Sequence, residues 1–518
     1  MSQAAPNIKN MSQIIAYLGQ KLLIECLNDG CQDTMIAGIA YDSRKVKKDY
    51  VFYAMSGVKT DGHQYIPQAI ANGAVAIVVE RPIGEAFSIP AHVTVILCRE
   101  IRLALGHTAA YFYDFPDRFL RLIGVTGTNG KTTTTNLIKW IFECFGQKTG
   151  LIGTIENKVG DLVLPASHTT PESLELFELL HEMKSSACRN VVMEVSSHGL
   201  KQGRVAQCHF DGAVFTNLTQ DHLDYHLTFE DYLASKNILF SMVVPDEKIN
   251  RYGIVNIDDP ASRSFMDCSQ VPVYTYGMND MAMVRAVDYR IASYGTVFRL
   301  LVKMKPEDIG IEKEVKMPLI GKFNIYNCLA AICVGLAEGL DLDGIIVAME
   351  KVPQVAGRFE LVDEGQDFSV VVDYAHSPDG LLNVLSSAKE LNPTRIITVF
   401  GCGGDRDKTK RPIMGKLAGS YSDIAIITSD NPRTEEPMDI ICQVEQGTKS
   451  VTANYYVEEN RRKAIALAIK LANPGDMIVI AGKGHENYQL VKGQVLHFDD
   501  RETARELISE RLSQEVLK

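Results

Sequence analysis

The amino-acid sequence contains no long apolar run. No stretch approaches the roughly 20 consecutive apolar residues that a membrane-spanning helix needs. The first ten residues, MSQAAPNIKN, are polar and contain no apolar signal-peptide core. The 11 cysteines are scattered without any C-x-x-C, which predicts free thiols in a reducing compartment and not a disulfide framework. Together these absences predict a cytoplasmic protein with no membrane insertion.

Positive charge is also scarce. The chain has 53 Lys and Arg against 64 Asp and Glu, a formal net charge of −11. This balance argues against nucleic acid as the main partner, although local basic loops can still bind an anionic substrate. With 518 residues, 46% of them hydrophobic and 23% charged, we expect a globular protein of about three domains.

Short apolar runs alternate with amphipathic segments along most of the chain. This alternation predicts an α/β fold in which helices cover mostly parallel sheets. Changes in the pattern near residues 120 and 355 predict domains over 1–120, 121–354 and 355–518. The clearest predicted strands are AVAIVVE (74–80), VTVILC (93–98), LIGV (122–125), NVVMEV (190–195), GAVFTNL (212–218), FSVVVDYA (368–375), RIITVFG (395–401), DIAIITSD (423–430) and DMIVIAGKG (476–484).

The stretch 123-IGVTGTNGKTTTTNLI-138 is typical of a strand, a glycine-rich loop and a helix start. It departs from the pattern G-x-x-x-x-G-K-[ST], because Val125 stands where that pattern has glycine and the glycine is Gly124. Backbone N–H groups at a helix start can bind phosphate oxygens, with Lys131 as a cation and Thr132 as a Mg²⁺ ligand. The predicted ATP-binding residues of this loop are Gly127, Thr128, Asn129, Gly130, Lys131, Thr132 and Thr133. The alternative is a glycine turn before an ordinary helix.

The loop GTNGKTT resembles the ATP loop of the Mur ligases and folylpolyglutamate synthetases, which join an amino acid to a carboxylate at the expense of ATP. The resemblance extends over almost the whole chain, and on it the protein is identified as a member of the Mur ligase family. It implies a UDP-sugar-binding first domain, a central P-loop ATPase domain with a parallel sheet, and a Rossmann-like C-terminal domain that binds the amino acid. The other segments that carry it are MEVSSHGL (193–200), TNLTQDHLDYH (216–226), YLASKNILF (232–240), GKFNIYN (321–327), GRFE (357–360), DYAHSPDG (373–380), GCGGDRDKTKRP (401–412), DNPRTEEP (430–437) and GKGHE (482–486).

Three residues outside the loop are candidate metal-site residues. Glu194 ends an apolar strand, where a carboxylate can hold Mg²⁺ or simply face solvent. The resemblance implies a second Mg²⁺ at His222 and a carbamylated, metal-binding Lys236. From sequence alone, Lys236 reads as an exposed helix lysine. His222 and His226 also have the spacing of a zinc pair with Asp221 or Asp224, but no fourth ligand motif accompanies them.

The resemblance also implies contacts to a UDP-linked sugar peptide. DSR (42–44) is followed by a G-x-x-x-DGH stretch (57–63), and a polar turn would explain the same residues. His168 precedes two threonines, at a position where some relatives have Asn. The implied substrate-binding residues are Ser43, Arg44, Thr169, Thr170, Ser197, Gln202 and Arg204.

Three more residues are implied at the ATP site. Asn324 lies at a predicted helix start, where it could bind adenine, cap the helix, or both. Arg358 and His376 resemble residues that reach ATP from the last domain. GCGGD is not a dinucleotide fingerprint, because G-x-G-x-x-G is absent.

Arginines near the end of the chain predict the class of amino acid. An incoming amino acid with a second carboxylate needs a cationic partner, and arginine offers a two-pronged donor that matches it. In the family, DNPR marks enzymes that add meso-2,6-diaminopimelate, although lanthionine would satisfy the same clamp and a helix-entry turn would also explain N-P-R. The implied residues are Arg406, Asp430, Asn431, Pro432, Arg433, Gly482 and Glu486, the last paired to an ammonium.

The resemblance therefore implies a bacterial ATP-dependent and Mg²⁺-dependent ligase. Its expected reaction adds meso-2,6-diaminopimelate to UDP-N-acetylmuramoyl-L-alanyl-D-glutamate through an acyl phosphate. Lys131, His222 and Lys236 are the expected catalytic residues, and a monomer is expected. Rival hypotheses are a lysine-adding or folate-extending ligase and a P-loop switch or scaffold without ligase activity.

Overall fold

The computed structural model describes residues 8–24, 26–27, 33–57, 60–84, 88–219, 221, 223–292, 295–304 and 309–516. Within these residues, three large sheets follow one another along the chain, each covered by helices. This arrangement confirms the predicted α/β fold. No helix within the described ranges is long and apolar enough to cross a membrane.

The first sheet has the strand order β2-β7-β6-β5-β4 among the described residues. Its strands β4 to β7 are parallel, and β2 is antiparallel to β7. The elements of this part are β1 Lys9–Asn10, α1 Met11–Gln20, β2 Cys26–Leu27, β3 Met35–Ile36, β4 Gly38–Ala40, β5 Tyr50–Ala54, α2 Ile66–Ala71, β6 Ala74–Val79, β7 Thr94–Leu97 and α3 Ile101–Phe112, with 3₁₀ turns at Ser43–Lys45, Gly62–Tyr65 and Pro116–Phe119.

The central sheet has the order β11-β10-β9-β12-β8-β13-β14-β15-β16-β17-β18 in the described chain. Strands β9 to β16 of this order run parallel, and antiparallel strands extend both edges. Its elements are β8 Arg121–Thr126, α4 Lys131–Cys144, β9 Thr149–Ile152, β10 Glu156–Val159, β11 Leu162–Pro165, α5 Ser173–Ser185, β12 Asn190–Glu194, α6 Ser197–Lys201, β13 Gly212–Phe215, α7 Leu223–His226, α8 Phe229–Met242, β14 Tyr252–Asn256, α9 Ser262–Cys268, β15 Val273–Gly277, β16 Val284–Ala292, β17 Gly295–Val302, β18 Ile311–Met317, α10 Lys322–Ala337 and α11 Leu342–Glu350.

The last sheet has the order β19-β20-β24-β21-β22-β23 where the chain is described, and all its neighbours except β19 and β20 pair in parallel. Its elements are β19 Glu360–Leu361, β20 Ser369–Asp373, α12 Pro378–Glu390, β21 Ile396–Phe400, α13 Lys410–Tyr421, β22 Ile424–Ile427, α14 Pro437–Lys449, β23 Tyr455–Val457, α15 Arg461–Leu471, β24 Met477–Ala481, the hairpin β25 Tyr488–Val491 and β26 Gln494–His497, and α16 Asp500–Val516.

The helix α4 shows how the sequence pattern becomes a buried face. Leu137, Ile138, Ile141 and Phe142 are at most 1% exposed, and Phe145 packs beside them, as the spacing predicts. These side chains form one core cluster with residues of α10. Burial of this apolar face anchors the start of α4, and with it the glycine-rich loop, against the sheet.

Several predicted strands end earlier than their apolar pattern indicates. Residues 216–218 follow β13 of the central sheet, and residues 428–430 and 482–484 follow β22 and β24 of the last sheet. Each segment forms a loop at the carboxyl edge of its own sheet. Gly482 and Gly484 in these segments have φ of +121° and +54°, which an extended strand does not adopt. The loops therefore carry side chains that the sequence pattern assigned to strands.

A buried ion pair ties the last two helices to the sheet. Arg461, at the start of α15, bonds both carboxylate oxygens of Asp500 at 2.7 Å and the Ala481 carbonyl at 3.0 Å. Both charged side chains are fully buried. The next residue, Arg462, pairs with Glu506 at 2.7 Å on the surface.

We expect Arg461→Ala to destabilise the last sheet by about 3–5 kcal/mol, because it leaves the Asp500 carboxylate buried without its partner. The matched variant Arg462→Ala should cost at most about 1 kcal/mol, because its partner stays hydrated. Calorimetric unfolding of the two variants beside the wild type measures the difference. Equal shifts in the unfolding midpoint would contradict this role of the buried pair.

Candidate active site

The loop between β8 and α4 has a backbone that requires glycine at two positions. Gly127 has φ +147°, and a Cβ there would lie 1.9 Å from Thr216 Oγ1. Gly130 has φ +86°, and its Cβ would lie 2.4 Å from Asn327 Oδ1. The loop leads directly into α4, whose first N–H groups and positive dipole end can bind phosphate oxygens.

Residues that follow β13 hold the loop in place. The Asn217 side chain accepts a hydrogen bond from Asn129 N at 2.9 Å and donates one to Asn129 O at 3.0 Å. Thr128 Oγ1 donates to Thr219 O at 3.2 Å. The predicted role of the loop did not include this support. The sequence feature that could have indicated these supporting residues is the polar run directly after the apolar strand β13.

Two lysines converge on one backbone carbonyl. Lys131 Nζ and Lys236 Nζ each donate to Gly127 O at 2.8 Å, and Lys131 also donates to Thr128 O at 2.8 Å. Lys236 is 1% exposed, so it is not the exposed helix lysine that its sequence context indicates. Burial, reinforced by the charge of Lys131, holds the pKa of Lys236 well below its usual value. Burial also lowers the pKa of Lys131, against the opposing effect of Glu194.

Glu194 lies beside Thr132 in the interior. It is 1% exposed, and its carboxylate accepts hydrogen bonds from Thr132 Oγ1 at 3.0 Å, Thr154 N at 2.8 Å and Thr154 Oγ1 at 3.0 Å. The solvent-facing alternative for Glu194 is therefore wrong. Carboxylate and hydroxyl oxygens are hard donors that fit Mg²⁺. Thr133 is buried in the first turn of α4 behind this pair.

The predicted second metal position is not described as a whole. His222 lies outside the described residues, so its predicted metal role and the zinc alternative that includes it stay predictions. Among the described residues, no three His, Cys, Asp or Glu side chains form a metal-binding group. His226 is fully buried, and its Nε2 lies 2.9 Å from Ser197 Oγ.

The last domain reaches the loop through two side chains. Arg358 Nη2 donates to Thr132 Oγ1 at 3.1 Å. Asp379, in the first turn of α12, accepts hydrogen bonds from Asn129 Nδ2 at 2.9 Å and Thr219 Oγ1 at 2.7 Å. Asp379 lies within the segment DYAHSPDG, but the sequence alone does not predict this contact. These bonds join the central and last sheets across the candidate site.

The neighbouring Asp373 orders the chain around Arg358. Its carboxylate accepts hydrogen bonds from Phe359 N at 2.7 Å and Ala375 N at 2.8 Å. Burial raises its pKa to about 6, although the charge of Arg358 acts in the opposite direction.

The other two predicted ATP-binding residues differ in accessibility. Asn324 is 1% exposed, donates to Ile320 O at 2.9 Å and accepts a bond from Asn327 Nδ2 at 3.0 Å. Asn324 therefore connects the start of α10 to Asn327, whose side chain lies against Gly130. His376 lines the cleft between the two domains, with its Nδ1 at 2.8 Å from Tyr374 O.

The predicted sugar-peptide residues of the central domain surround the end of β12. Thr169 Oγ1 lies 3.0 Å from Thr154 Oγ1, and Thr170 Oγ1 donates to Glu194 O at 3.0 Å. Arg204 donates to Thr170 O at 2.8 Å and to Gln202 Oε1 at 3.0 Å. This segment therefore lies next to the loop and the carboxylate of Glu194.

Ser43 and Arg44 lie in the first domain and are engaged locally. Ser43 Oγ donates to Gln68 Oε1 at 2.8 Å and is 5% exposed. Arg44 is exposed and bonds Asp42. The structure therefore places these two residues in the turn after β4 and does not bring them into contact with the loop.

The predicted amino-acid residues gather at the carboxyl edge of the last sheet. A cleft of about 840 Å³ extends from Asp221 and Asp379, near the glycine-rich loop, to this edge. Asp430 is 6% exposed, and its Oδ1 has no hydrogen-bond partner among the described residues. Pro432 stands in the turn, and its carbonyl accepts a bond from Glu435 N at 3.0 Å. Six predicted residues line this end of the cleft: Arg406, Asp430, Asn431, Arg433, Gly482 and Glu486.

The β25–β26 hairpin holds Arg433 in a left-handed backbone conformation. Arg433 has φ +54°, donates its N–H to Leu490 O at 3.0 Å, and accepts Lys492 N at 2.7 Å. Its Nη1 donates to Gly404 O at 2.8 Å. A Cβ on Gly403 would lie 2.7 Å from the same Nη1, so glycine leaves room for the guanidinium. The sequence alone does not predict these contacts, which hold the backbone and the guanidinium of Arg433.

Gly130→Ala should weaken ATP binding by at least about tenfold, because the new methyl group meets Asn327 and the left-handed backbone costs about 1–2 kcal/mol. Gly146→Ala is the matched control, since Gly146 also has a positive φ of +72° but nothing within 4 Å of its Cβ position. Calorimetric titration with ATP and Mg²⁺ measures both variants. An unchanged affinity in Gly130→Ala would contradict the proposed role of the glycine-rich loop in binding the phosphates of ATP.

Comparison with known proteins gives a consistent result over nearly the whole chain. Three family models match: Mur ligase family, catalytic domain, over residues 35–113; Mur ligase middle domain over 125–335; and Mur ligase, glutamate ligase domain, over 357–484. A UDP-N-acetylmuramoyl-L-alanyl-D-glutamate–2,6-diaminopimelate ligase from Syntrophomonas wolfei is 48% identical over 95% of this chain and 99% of its own. A ligase of the same name from Caldanaerobacter subterraneus is 47% identical over 92% of this chain and 95% of its own.

A solved structure extends the likeness to the fold. The structure of a UDP-N-acetylmuramoyl-L-alanyl-D-glutamate–2,6-diaminopimelate ligase superposes with a TM-score of 0.66 and 31% identity, covering 97% of this chain and 99% of that one. The matched regions include the glycine-rich loop, Glu194 and the DNPR turn described above. On these grounds, the chain belongs to the Mur ligase family.

Proposed function

We propose that the protein is an ATP-dependent ligase that adds meso-2,6-diaminopimelate to UDP-N-acetylmuramoyl-L-alanyl-D-glutamate. The observation that carries the proposal is a single cleft. The glycine-rich loop lies near one end of this cleft, and two arginines and two carboxylates line the other end. This arrangement suits a reaction that phosphorylates a carboxylate and then presents an amine to it. The names of the similar ligases support the same substrates.

In the first step, the γ-carboxylate of the D-glutamyl residue attacks the terminal phosphorus of ATP and gives an acyl phosphate and ADP. Such a transfer depends mostly on positioning and on neutralising charge. The N–H groups at the start of α4 and the Lys131 ammonium bind the phosphates. Thr132 and Glu194 would hold one Mg²⁺, and His222 and the Lys236 carbamate would hold a second. When bound, these ions neutralise negative charge on the phosphates.

In the second step, the uncharged amine of diaminopimelate attacks the acyl carbon. The tetrahedral intermediate loses phosphate and a proton, which leaves the amide. Arg406 and Arg433 bind the carboxylates of the incoming amino acid, and Glu486 binds its remaining ammonium. Arg358 and Asp379 hold the last domain against the loop, which keeps water away from the acyl phosphate.

We further propose the three domain ranges 1–120, 121–354 and 355–518, each of which encloses one of the three matched regions. The first would bind the UDP moiety through Ser43 and Arg44. Thr169, Thr170, Ser197, Gln202 and Arg204 would contact the sugar and peptide. A cytoplasmic, monomeric enzyme of the bacterial cell-wall precursor pathway fits these substrates.

The amine requirement tests the proposed reaction directly. Phosphate release from ATP with the UDP-linked dipeptide should depend on meso-diaminopimelate, and L-lysine should support at most about a tenth of that rate, since it cannot occupy both arginines. Phosphate assays with diaminopimelate, L-lysine, lanthionine or no amine give the comparison. Equal rates with L-lysine would overturn the specificity, and no amine-dependent release would overturn the ligase.

The proposed carbamate at Lys236 is also testable. The Lys236 amine is buried and its lowered pKa favours the neutral form, which can add to the carbon of CO₂ and release a proton to solvent. We expect a ¹³CO₂-derived carbamate signal in NMR spectra that is absent from Lys236→Ala, together with at least about a hundredfold loss of kcat, since charge at the reacting phosphate is lost. Lys201→Ala is the control, because Lys201 forms a surface pair with Asp231. Full activity in Lys236→Ala would remove the carbamate proposal.

A further inference from the structure

We propose that Lys483 is a specificity-determining positioning residue, which sets the net charge of the amine pocket to match a diamino diacid. The amine pocket is defined as Arg406, Asp430, Asn431, Arg433, Gly482 and Glu486. This inference rests on the proposed ligase function. Lys483 follows Gly482 directly, but the sequence alone does not predict a role for it.

Lys483 is a fully buried cation held by residues of the amine pocket. Its Nζ lies 3.3 Å from Glu486 Oε2, 3.3 Å from Asn431 Oδ1 and 3.7 Å from Asp430 Oδ1. Its side chain has no exposed surface, and the Nζ also lies 5.5 Å from the centre of the Tyr488 ring. A buried ammonium is costly without partners, so these contacts are its compensation.

Lys483 connects the two loops that bear the carboxylates. Asp430 and Asn431 follow β22, whereas Glu486 follows β24, and the ammonium lies between them. Asn431 completes the link, because its Nδ2 donates to Glu486 Oε2 at 2.8 Å. The spacing of the two carboxylates therefore depends on the lysine and the asparagine together.

Asp430 Oδ1 is buried and lies 3.7 Å from the Lys483 ammonium. Asp430 Oδ1 has no hydrogen-bond partner among the described residues, and Asp430 lines the cleft. Arg461 adds no net charge nearby, because it is paired with the equally buried Asp500. The two pocket carboxylates and the Lys483 ammonium thus combine to a single negative charge.

Arg406 and Arg433 bring the amine pocket, counted with Lys483, to one net positive charge. Lys410 and Asp407 also line the cleft and offset each other, whereas Asp221 and Asp379 line its other end, near the glycine-rich loop. A diamino diacid whose attacking amine is neutral carries two carboxylates and one ammonium, hence one net negative charge. A diamino monoacid such as lysine is neutral in the same state. Charge complementarity with Lys483 in place therefore favours the diacid, and without Lys483 the neutral pocket no longer does.

Lys483→Met tests this directly, because it keeps an unbranched side chain and removes the charge. The measured quantity is the ratio of kcat/KM for meso-diaminopimelate to kcat/KM for L-lysine. We expect the ratio to fall at least about tenfold, mainly through KM for diaminopimelate, while KM for ATP and for the UDP-linked dipeptide stays within about twofold. Lys449→Met is the matched control, since Lys449 pairs with Glu445 on the surface of α14 in the same domain.

A charge-restoring double variant separates charge from packing. Lys483→Met leaves two buried carboxylates facing each other and can impair folding, whereas Lys483→Met with Glu486→Gln removes one charge of each sign. We expect the double variant to recover at least half of the lost ratio on a logarithmic scale, because it returns the pocket to one net positive charge.

The outcomes distinguish this inference from the proposed function. A wild type without amine-dependent phosphate release overturns the ligase and this inference with it. A normal wild type, with the ratio unchanged in both the single and the double variant, overturns only the role of Lys483. A double variant whose ratio stays as low as that of Lys483→Met would likewise reject charge matching and leave Lys483 a packing residue.

Discussion

One backbone carbonyl accepts two lysines at the centre of the site. Lys131 and Lys236 both donate to Gly127 O, and neither forms an ion pair there within the part of the chain that the structure describes. Burial lowers the pKa of each amine, and the charge of Lys131 lowers the pKa of Lys236 further. Such a place favours anions, and phosphate groups or a carbamate would supply them. The proposed chemistry depends on the Lys131 cation and on the neutral Lys236 amine that would form the carbamate.

The surrounding structure brings polar groups to that point through the ends of parallel strands. Gly127 follows β8, Glu194 ends β12 and Asn217 follows β13, which are neighbours in the central sheet. Parallel neighbours end at the same edge, so their following loops meet there. The last sheet repeats the arrangement with Asp373, Asp430 and Gly482. Arg358 and Asp379 then hold the two edges against each other.

The sequence predicts strands well and their ends less well. The apolar runs at 368–375 and 423–430 do contain β20 and β22, but both predicted strands extend too far. Hydrophobic periodicity reports burial, and Asp430 is as buried in its loop as a strand residue would be. Lys236 shows an error of another kind, because its helix context indicates exposure whereas its side chain is buried and donates to Gly127 O. Asp379 and Asn217 act through partners about 90 to 250 residues away in the chain, which no local pattern reveals.

By itself, the sequence determined the α/β class, the glycine-rich loop and the family, because apolar periodicity, glycine requirements and ordered motifs are local properties of the chain. It also indicated which arginines could bind a second carboxylate. Only the tertiary structure decided that Lys131 and Lys236 share one acceptor, that Asp379 bridges two domains, and that Lys483 lies between Asp430 and Glu486. Charge balance and burial arise from residues distant in the chain, so they become definite only when the sheets are folded and packed.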